Sequence, residues 1–250
     1  MFLPSVHVEE DPALLHQLIR DNPLGIITTA LPSNHHPFIL SSHIPWVLDV
    51  DPHEPHLARL RGHLARQNPQ SQVLMQAAAH SGATIHQELL VLFTAAPQHY
   101  VTPHFYVETK PLTGKVVPTW NYAAVEAYGK ATVYFDSHSD QTSRFLNRQM
   151  HDLSQHAETY IMGYTGRGDR PDPWKVTDAP ERYIEVMKKS VIGIEIVIHR
   201  LQGKFKMSQE KGKADSAGIV HGFLALDSDM GRAMASLVKE RSHAEAAATP

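Results

Sequence analysis

The sequence predicts an α+β protein, one domain over residues 1–250 built around a barrel with peripheral helices. Three observations predict it. Short apolar strand patterns near the start alternate with turn residues, as at the opening of a barrel. Helix patterns then interleave with strands up to the C-terminal end. No internal repeat and no linker-like composition divides the chain.

Taken in order, Asp11 and Pro12 read as an N-cap followed by proline at the first helical position. Leu14, Leu15, Leu18 and Ile19 fall on one face, and Asn22-Pro23 ends the helix. Residues 25–30 form a short apolar strand, and a proline-bearing run over 31–37 leads to a longer one over 38–49. Residues 51–55 turn the chain into a third strand, 57–62, completing a β-meander. A helix is expected to start within 64–68, and 69–87 reads as a helix and then a surface loop. Residues 89–94 and 127–135 are strands, with Val133 and Phe135 alternating against Thr132 and Tyr134.

Phe145, Leu146, Met150 and Leu153 have helical spacing within 140–160. A loop rich in Gly, Pro, Arg and Asp over 163–173 precedes a short helix at 182–189. Ile192, Ile194, Ile196 and Ile198 alternate through a strand at 191–201. The last helix covers about 227–242, its apolar stripe made by Met230, Met234, Leu237 and Val238, and the tail 243–250 frays.

The totals exclude several classes. A net charge of -3 gives no general attraction to nucleic acid, so direct, tight DNA binding is not expected. With no cysteine there is no disulfide, thiolate metal site or cysteine nucleophile. No apolar run approaches the roughly 20 residues of a membrane span, and the N-terminus lacks the pattern of a signal peptide. A soluble, cytoplasmic protein is the expectation. Its 18 histidines fall mostly in polar or proline-rich stretches, such as His35-His36 and His53-Glu54-Pro55-His56. None has the spacing of a zinc site, so no metal is expected.

One stretch concentrates chemistry: Gly114-Lys115-Val116-Val117-Pro118-Thr119-Trp120-Asn121-Tyr122. Pro118 biases Val117 to an extended conformation, which makes this an ordered loop or strand end. Lys115 suits a phosphate, Thr119 and Asn121 offer short polar groups, and Trp120 and Tyr122 can wall a planar ring. The plainer reading is a loop whose tryptophan plugs the core.

Other segments share its wording: Pro23-Leu24-Gly25, Ser42-His43-Ile44-Pro45, and the run from Gly62 through Arg66-Gln67-Asn68-Pro69. Tyr100-Val101-Thr102-Pro103-His104-Phe105-Tyr106 and Gly203-Lys204-Phe205-Lys206-Met207-Ser208-Gln209 follow. In this order the chain resembles the PaiB-like family of FMN-binding split-barrel proteins, often labelled negative transcriptional regulators. The resemblance runs from about Phe2 to about Phe223. It implies a split β-barrel, FMN as cofactor, and a homodimer with the flavin near the subunit interface. The sequence departs from the family pattern at Ser71, where an aromatic is usual. It departs again at His104-Phe105, Glu210-Lys211 and Ser216.

FMN needs cations and backbone donors for its phosphate, polar partners for its ribityl chain, and apolar walls for its ring. The candidates are His63, Arg66 and Asn68 at a strand-to-helix junction, where helix N-terminal amides add positive charge. Lys115 and Thr119 add a second cation and a hydroxyl. Ser42, His43 and Ile44 offer a strand beside the ring, and Trp120 a stacking surface or a partner contact. Each has an alternative: His63 as a helix cap, Arg66 in a surface ion pair, His43 as a core histidine. Tyr100, Phe105 and Tyr106 equally read as core aromatics. The function implied is a flavin-loaded regulator, with a flavin-dependent oxidoreductase or a haem-binding split barrel as the alternatives. No acid, base or nucleophile declares itself, so the sequence leaves open whether the protein is an enzyme.

Overall fold

The computed structural model describes residues 1–51 and 53–248. Along the chain, β1 (Val8–Glu9) and α1 (Pro12–Asp21) precede β2 (Leu24–Ala30) and β3 (Ile39–Pro45). Then come β4 (Val47–Asp51), β5 (Glu54–Ala65), α2 (Pro69–Ser81), β6 (Leu89–Thr94) and β7 (His99–Val101). The second half holds α3 (Thr109–Thr113), β8 (Thr119–Tyr134), α4 (Asp140–His156), α5 (Glu181–Lys189) and β9 (Val191–Lys206). Two helices close the chain, α6 (Lys213–Leu224) and α7 (Asp229–Ala248). Contacts group these into two units, and the cuts fall inside α1, β6, β8 and β9. One unit is His16–Phe93 with Glu126–Leu201; the other is Met1–Leu15, Thr94–Val125 and Gln202–Pro250.

The strands bond in the order β3-β2-β6-β8-β9-β5-β4. β3 and β4, at opposite ends of that order, are separated in sequence by Trp46 alone. Laid flat, six inter-strand steps would part them by about 29 Å, whereas one residue spans about 3.8 Å. The sheet therefore curls back on itself, giving the split-barrel form of the α+β class. Its interior is apolar by period-two alternation: Ile27, Leu60, Val91, Phe93, Ile192, Ile194 and Ile196 are all buried.

Trp46 is buried at the join, and its amide donates to Pro23 O at 2.9 Å. Two glycines make room for its ring. A Cβ on Gly25 would lie 2.9 Å from Trp46 Cδ1 and 2.6 Å from Phe93 Cε1. A Cβ on Gly62 would lie 2.9 Å from Trp46 Cε3 and 3.0 Å from Ile44 Cδ1. Beside them Arg61, 1% exposed, donates to Asp49 on β4 through Nε at 2.5 Å and Nη2 at 2.9 Å. Nη2 also reaches Asp152 on α4 at 2.7 Å. Burial opposes this charge, but the two carboxylates outweigh it and raise the guanidinium pKa.

In the other unit, β7 pairs with the start of β8 and β1 with the end of β9. α6 carries Gly218 and Gly222 on the face that receives Phe105: Cβ atoms there would strike the Phe105 carbonyl and ring. The Phe105 ring meets Phe223 edge-on at 5.5 Å. Phe105 and the buried Tyr106 are thus core aromatics, whereas Tyr100 is exposed.

Several expectations change. The meander is instead two hairpins, β2–β3 and β4–β5, at opposite ends of the sheet, because Trp46 breaks the expected 38–49 strand. The helix expected within 64–68 starts at Pro69, since β5 continues to Ala65 and pairs there with β9. The strand expected at 127–135 begins at Thr119, and that at 191–201 runs on to Lys206. α6 has no sequence counterpart, and α7 extends to Ala248 instead of fraying after 242. In the 51–55 turn, Pro52 lies outside the described residues, as do Thr249 and Pro250 of the tail.

Gly25→Ala and Gly62→Ala should each cost about 1–3 kcal/mol through overpacking against the Trp46 ring. Because both press on one side chain, the double variant should lose less than the sum. Urea unfolding of the three proteins measures this. Strict additivity would mean that the two glycines do not act through Trp46.

Candidate functional site

In the barrel unit, the start of α2 is fastened to β3, an edge of the strand order. Asn68 has an extended backbone, and its Oδ1 accepts from the Gln70 amide at 2.8 Å. Its Nδ2 donates to Ser42 Oγ on β3 at 3.0 Å. Gln70 Nε2 donates to Leu40 O at 3.0 Å and Ile27 O at 3.2 Å, so the first helical turn is sewn to β2 and β3. Leu40 O faces the helix, and by period two the backbone groups of Ser42 face the same way. Pro69 at the first helical position carries no N–H. The result is the positive end of a 13-residue helix held at a strand edge, an arrangement suited to an anion. Two buried side-chain atoms of its first turn, Gln70 Oε1 and Ser71 Oγ, have no partner. Ser71 is one of the departures from the family pattern.

His63 stands on β5 opposite Gly193, and its Nδ1 is buried and unpartnered. Burial lowers its pKa, leaving a neutral imidazole near pH 7. Arg66, just past β5, is engaged by the protein. Its Nε donates to Lys189 O at 3.2 Å, Nη2 to Phe135 O at 2.5 Å, and Nη1 contacts Met75 Sδ at 3.3 Å. Each Nη keeps one further N–H. The guanidinium lines a cavity of ≈ 40 Å³ with Ser137, Thr142, Ser143, Lys188 and Lys189. That space suits a water or a small ion, not a flavin ring.

The other two members of the β3 candidates diverge. Ile44 is buried against the Gly62 position and belongs to the core. His43 pairs with Ile26 and is exposed, so it is not a core histidine.

Lys115, Thr119 and Trp120 belong to the second unit. Gly114, at φ 66°, ends α3, and the exposed Lys115 follows with its amide donating to Thr113 Oγ1 at 3.1 Å. Thr119 and Trp120 open β8, where Lys206 Nζ donates to the Thr119 hydroxyl and to Trp120 O at 2.9 Å. Burial lowers the Lys206 pKa. Trp120 is 51% exposed and meets Tyr100 edge-on at 6.3 Å, so it does not plug the core. Lys206 was not among the sequence candidates, although the 203–209 segment that contains it was marked. Among the described residues no group of His, Asp and Glu is placed to hold a metal ion. No helix among them is long and apolar enough to cross a membrane.

His63 makes stability depend on pH in a definite direction. The unfolded chain takes a proton near 6.5, whereas the folded imidazole takes it only at lower pH. Between those points the unfolded state binds more protons, so stability falls as pH drops below about 6.5. His63→Asn should flatten this loss, by at most about 1.4 kcal/mol per pH unit inside the window. Urea midpoints at about pH 7.5 and 5.5 test it, and an unchanged slope would show that another group titrates.

The chain is 54% identical over 255 residues to an uncharacterised protein of Aspergillus fumigatus, covering 96% of this chain and 97% of that one. A second relative, from Emericella nidulans, is 51% identical with 96% and 97% covered. The protease synthase and sporulation protein PAI 2 of Bacillus subtilis is 21% identical, with 96% and 98% covered. Among solved structures, the flavocytochrome Anf3 of Azotobacter vinelandii aligns with a TM-score of 0.43 at 12% identity, covering 84% of this chain and 75% of that one. A FAD-binding protein of Mesorhizobium loti aligns with a TM-score of 0.38 at 8% identity, covering 79% and 95%. A family model described as "Putative FMN-binding domain" matches residues 1–200. With that match over most of its length, the chain belongs to this FMN-binding family.

Proposed function

We propose that the chain binds FMN with the phosphate at the start of α2, and works as a flavin-loaded regulator of the PaiB-like kind. The observation that carries the site is the double use of Asn68, which caps α2 and holds Ser42. One side chain thereby fixes a helix N-terminus against a strand edge. The Ser42 hydroxyl and the two spare N–H groups of Arg66 would hold the phosphate, with the positive end of the α2 dipole behind them. His63, kept neutral by burial, adds a polar atom without a competing charge. FMN supplies one- and two-electron chemistry when bound. The regulatory part is supported by the name of PAI 2, which ties that relative to protease production and sporulation. The net charge of -3 counts against regulation through direct DNA contact.

Flavin titrations followed by fluorescence quenching test the site. Arg66→Ala should weaken FMN by about ten- to a hundredfold, the loss of roughly 1.5–3 kcal/mol of charge-assisted bonding. Riboflavin, which lacks the phosphate, should bind the variant and the wild type alike. If riboflavin loses as much as FMN in Arg66→Ala, the arginine serves only the carbonyls of Phe135 and Lys189. Sustained NADH or NADPH oxidation by the flavin-loaded protein would favour an oxidoreductase over a regulator.

We also propose that the protein is a homodimer, in keeping with the family resemblance. Sedimentation of the flavin-loaded protein at micromolar concentration should give twice the chain mass of 27.9 kDa. A flavin-loaded monomer would overturn this.

A further inference from the structure

The second unit contains a cluster of buried polar groups that the flavin reading does not use. It gathers around the turn after β9. Ser208, fully buried, sits there at φ 62°, a left-handed conformation that costs a non-glycine residue free energy. Its hydroxyl donates to Asn121 Oδ1 at 2.9 Å, and its carbonyl accepts from the Lys211 amide at 3.1 Å. Asn121 is fully buried, yet its Nδ2 has no partner. Tyr106 is 3% exposed, and its hydroxyl has none either. Lys211 Nζ lies 5.2 Å from the centre of the Tyr106 ring.

The acidic groups nearby are already engaged. Glu210 Oε2 bonds His7 Nε2 at 3.2 Å and its Oε1 faces Lys211 Nζ at 3.7 Å. The Asp215 carboxylate accepts from the amides of Glu108, at 2.8 Å, and Thr109. Burial first, with Glu210 and Asp215 adding to it, pushes the Tyr106 phenol up, so it remains an O–H donor at neutral pH. A buried donor left without a partner destabilises the fold. Both such donors are tied to the turn that carries Lys211, Tyr106 by the ammonium over its ring and Asn121 through Ser208, and this set matches one kind of ligand.

We propose that Tyr106, Asn121 and Lys211 form a binding site for an oxyanion, the carboxylate or phosphate group of a small molecule. The phenol and the amide nitrogen donate to its oxygens, and Lys211 supplies the charge. The strained turn at Ser208 holds the Asn121 amide in the orientation that leaves its nitrogen available. This site does not depend on the flavin assignment.

Tyr106→Phe gives a discriminating test because it removes only the unpartnered hydroxyl. In chloride the variant should be at least as heat-stable as the wild type, since a buried unsatisfied group is lost. Thermal unfolding is then compared at matched ionic strength in chloride, inorganic phosphate and acetate. The wild type should gain stability over chloride in phosphate, acetate or both, and the anion that acts identifies the ligand group. Tyr106→Phe and Lys211→Met should each need at least tenfold more anion for the same gain. General salting effects act on all three proteins alike, so the difference between them is the readout. An undiminished response in both variants, or a wild type indifferent to both anions, would overturn the site. FMN titration of Tyr106→Phe separates the two assignments: it should match the wild type. Lost FMN affinity with an intact anion response would also count against the proposal.

Discussion

The single-residue join at Trp46 is the constraint on which the barrel depends. Strand pairing alone would allow an open sheet with β3 and β4 far apart. One intervening residue forbids that, and the indole then occupies the space that closure creates. Burying a tryptophan removes about 150–250 Å² from water, worth roughly 4–6 kcal/mol at 25 cal/mol/Å². That gain requires the flanking backbone to come within contact of the ring. Gly25 and Gly62 meet the requirement from β2 and β5. The closure is thus set by one large residue and two absent side chains.

The same geometry explains where the proposed phosphate site falls. Closure leaves β3 at the end of the strand order, and α2 arrives there directly from β5. Arg61 braces the other side, joining β5 to β4 and α4 through Asp49 and Asp152. A fully buried arginine gains little net stability from such pairing, but removing one partner strands a charge at about 3–5 kcal/mol. Its effect is to fix the register of β4 on β5. His63 and Arg66 follow two and five positions later on the same run of chain, so they inherit that register.

Local features were legible in the sequence, and non-local ones were not. A helix within 69–87 was legible, although its start was set too early, within 64–68, because Leu64 to Asn68 suit either state. Gly25 and Gly62 stood out as motif residues, yet their reason is a ring more than fifteen positions away in each case. Nothing local reveals that. The meander failed for a related reason: adjacent hydrophobic runs suggest adjacent strands, and here neighbours in sequence sit at opposite ends of the sheet. α6 escaped notice because Gly218 and Gly222 lower helix propensity and interrupt its apolar stripe. Their purpose, room for Phe105, is again a tertiary fact.

Arg66 shows how such facts alter a reading of chemistry. On the sequence it is a free fork for a phosphate; in the fold it is held by two carbonyls and a thioether. The two roles do not conflict. A long side chain loses up to about 2 kcal/mol of rotamer freedom when it is fixed. Here the protein has already fixed it, so a ligand meeting the remaining N–H groups does not bear that cost again. Lysine could not replace it, because one ammonium on a flexible stem cannot span the Phe135 and Lys189 carbonyls and still present a directed donor. The bonds that remove Arg66 from the list of free cations would also orient it for the proposed phosphate.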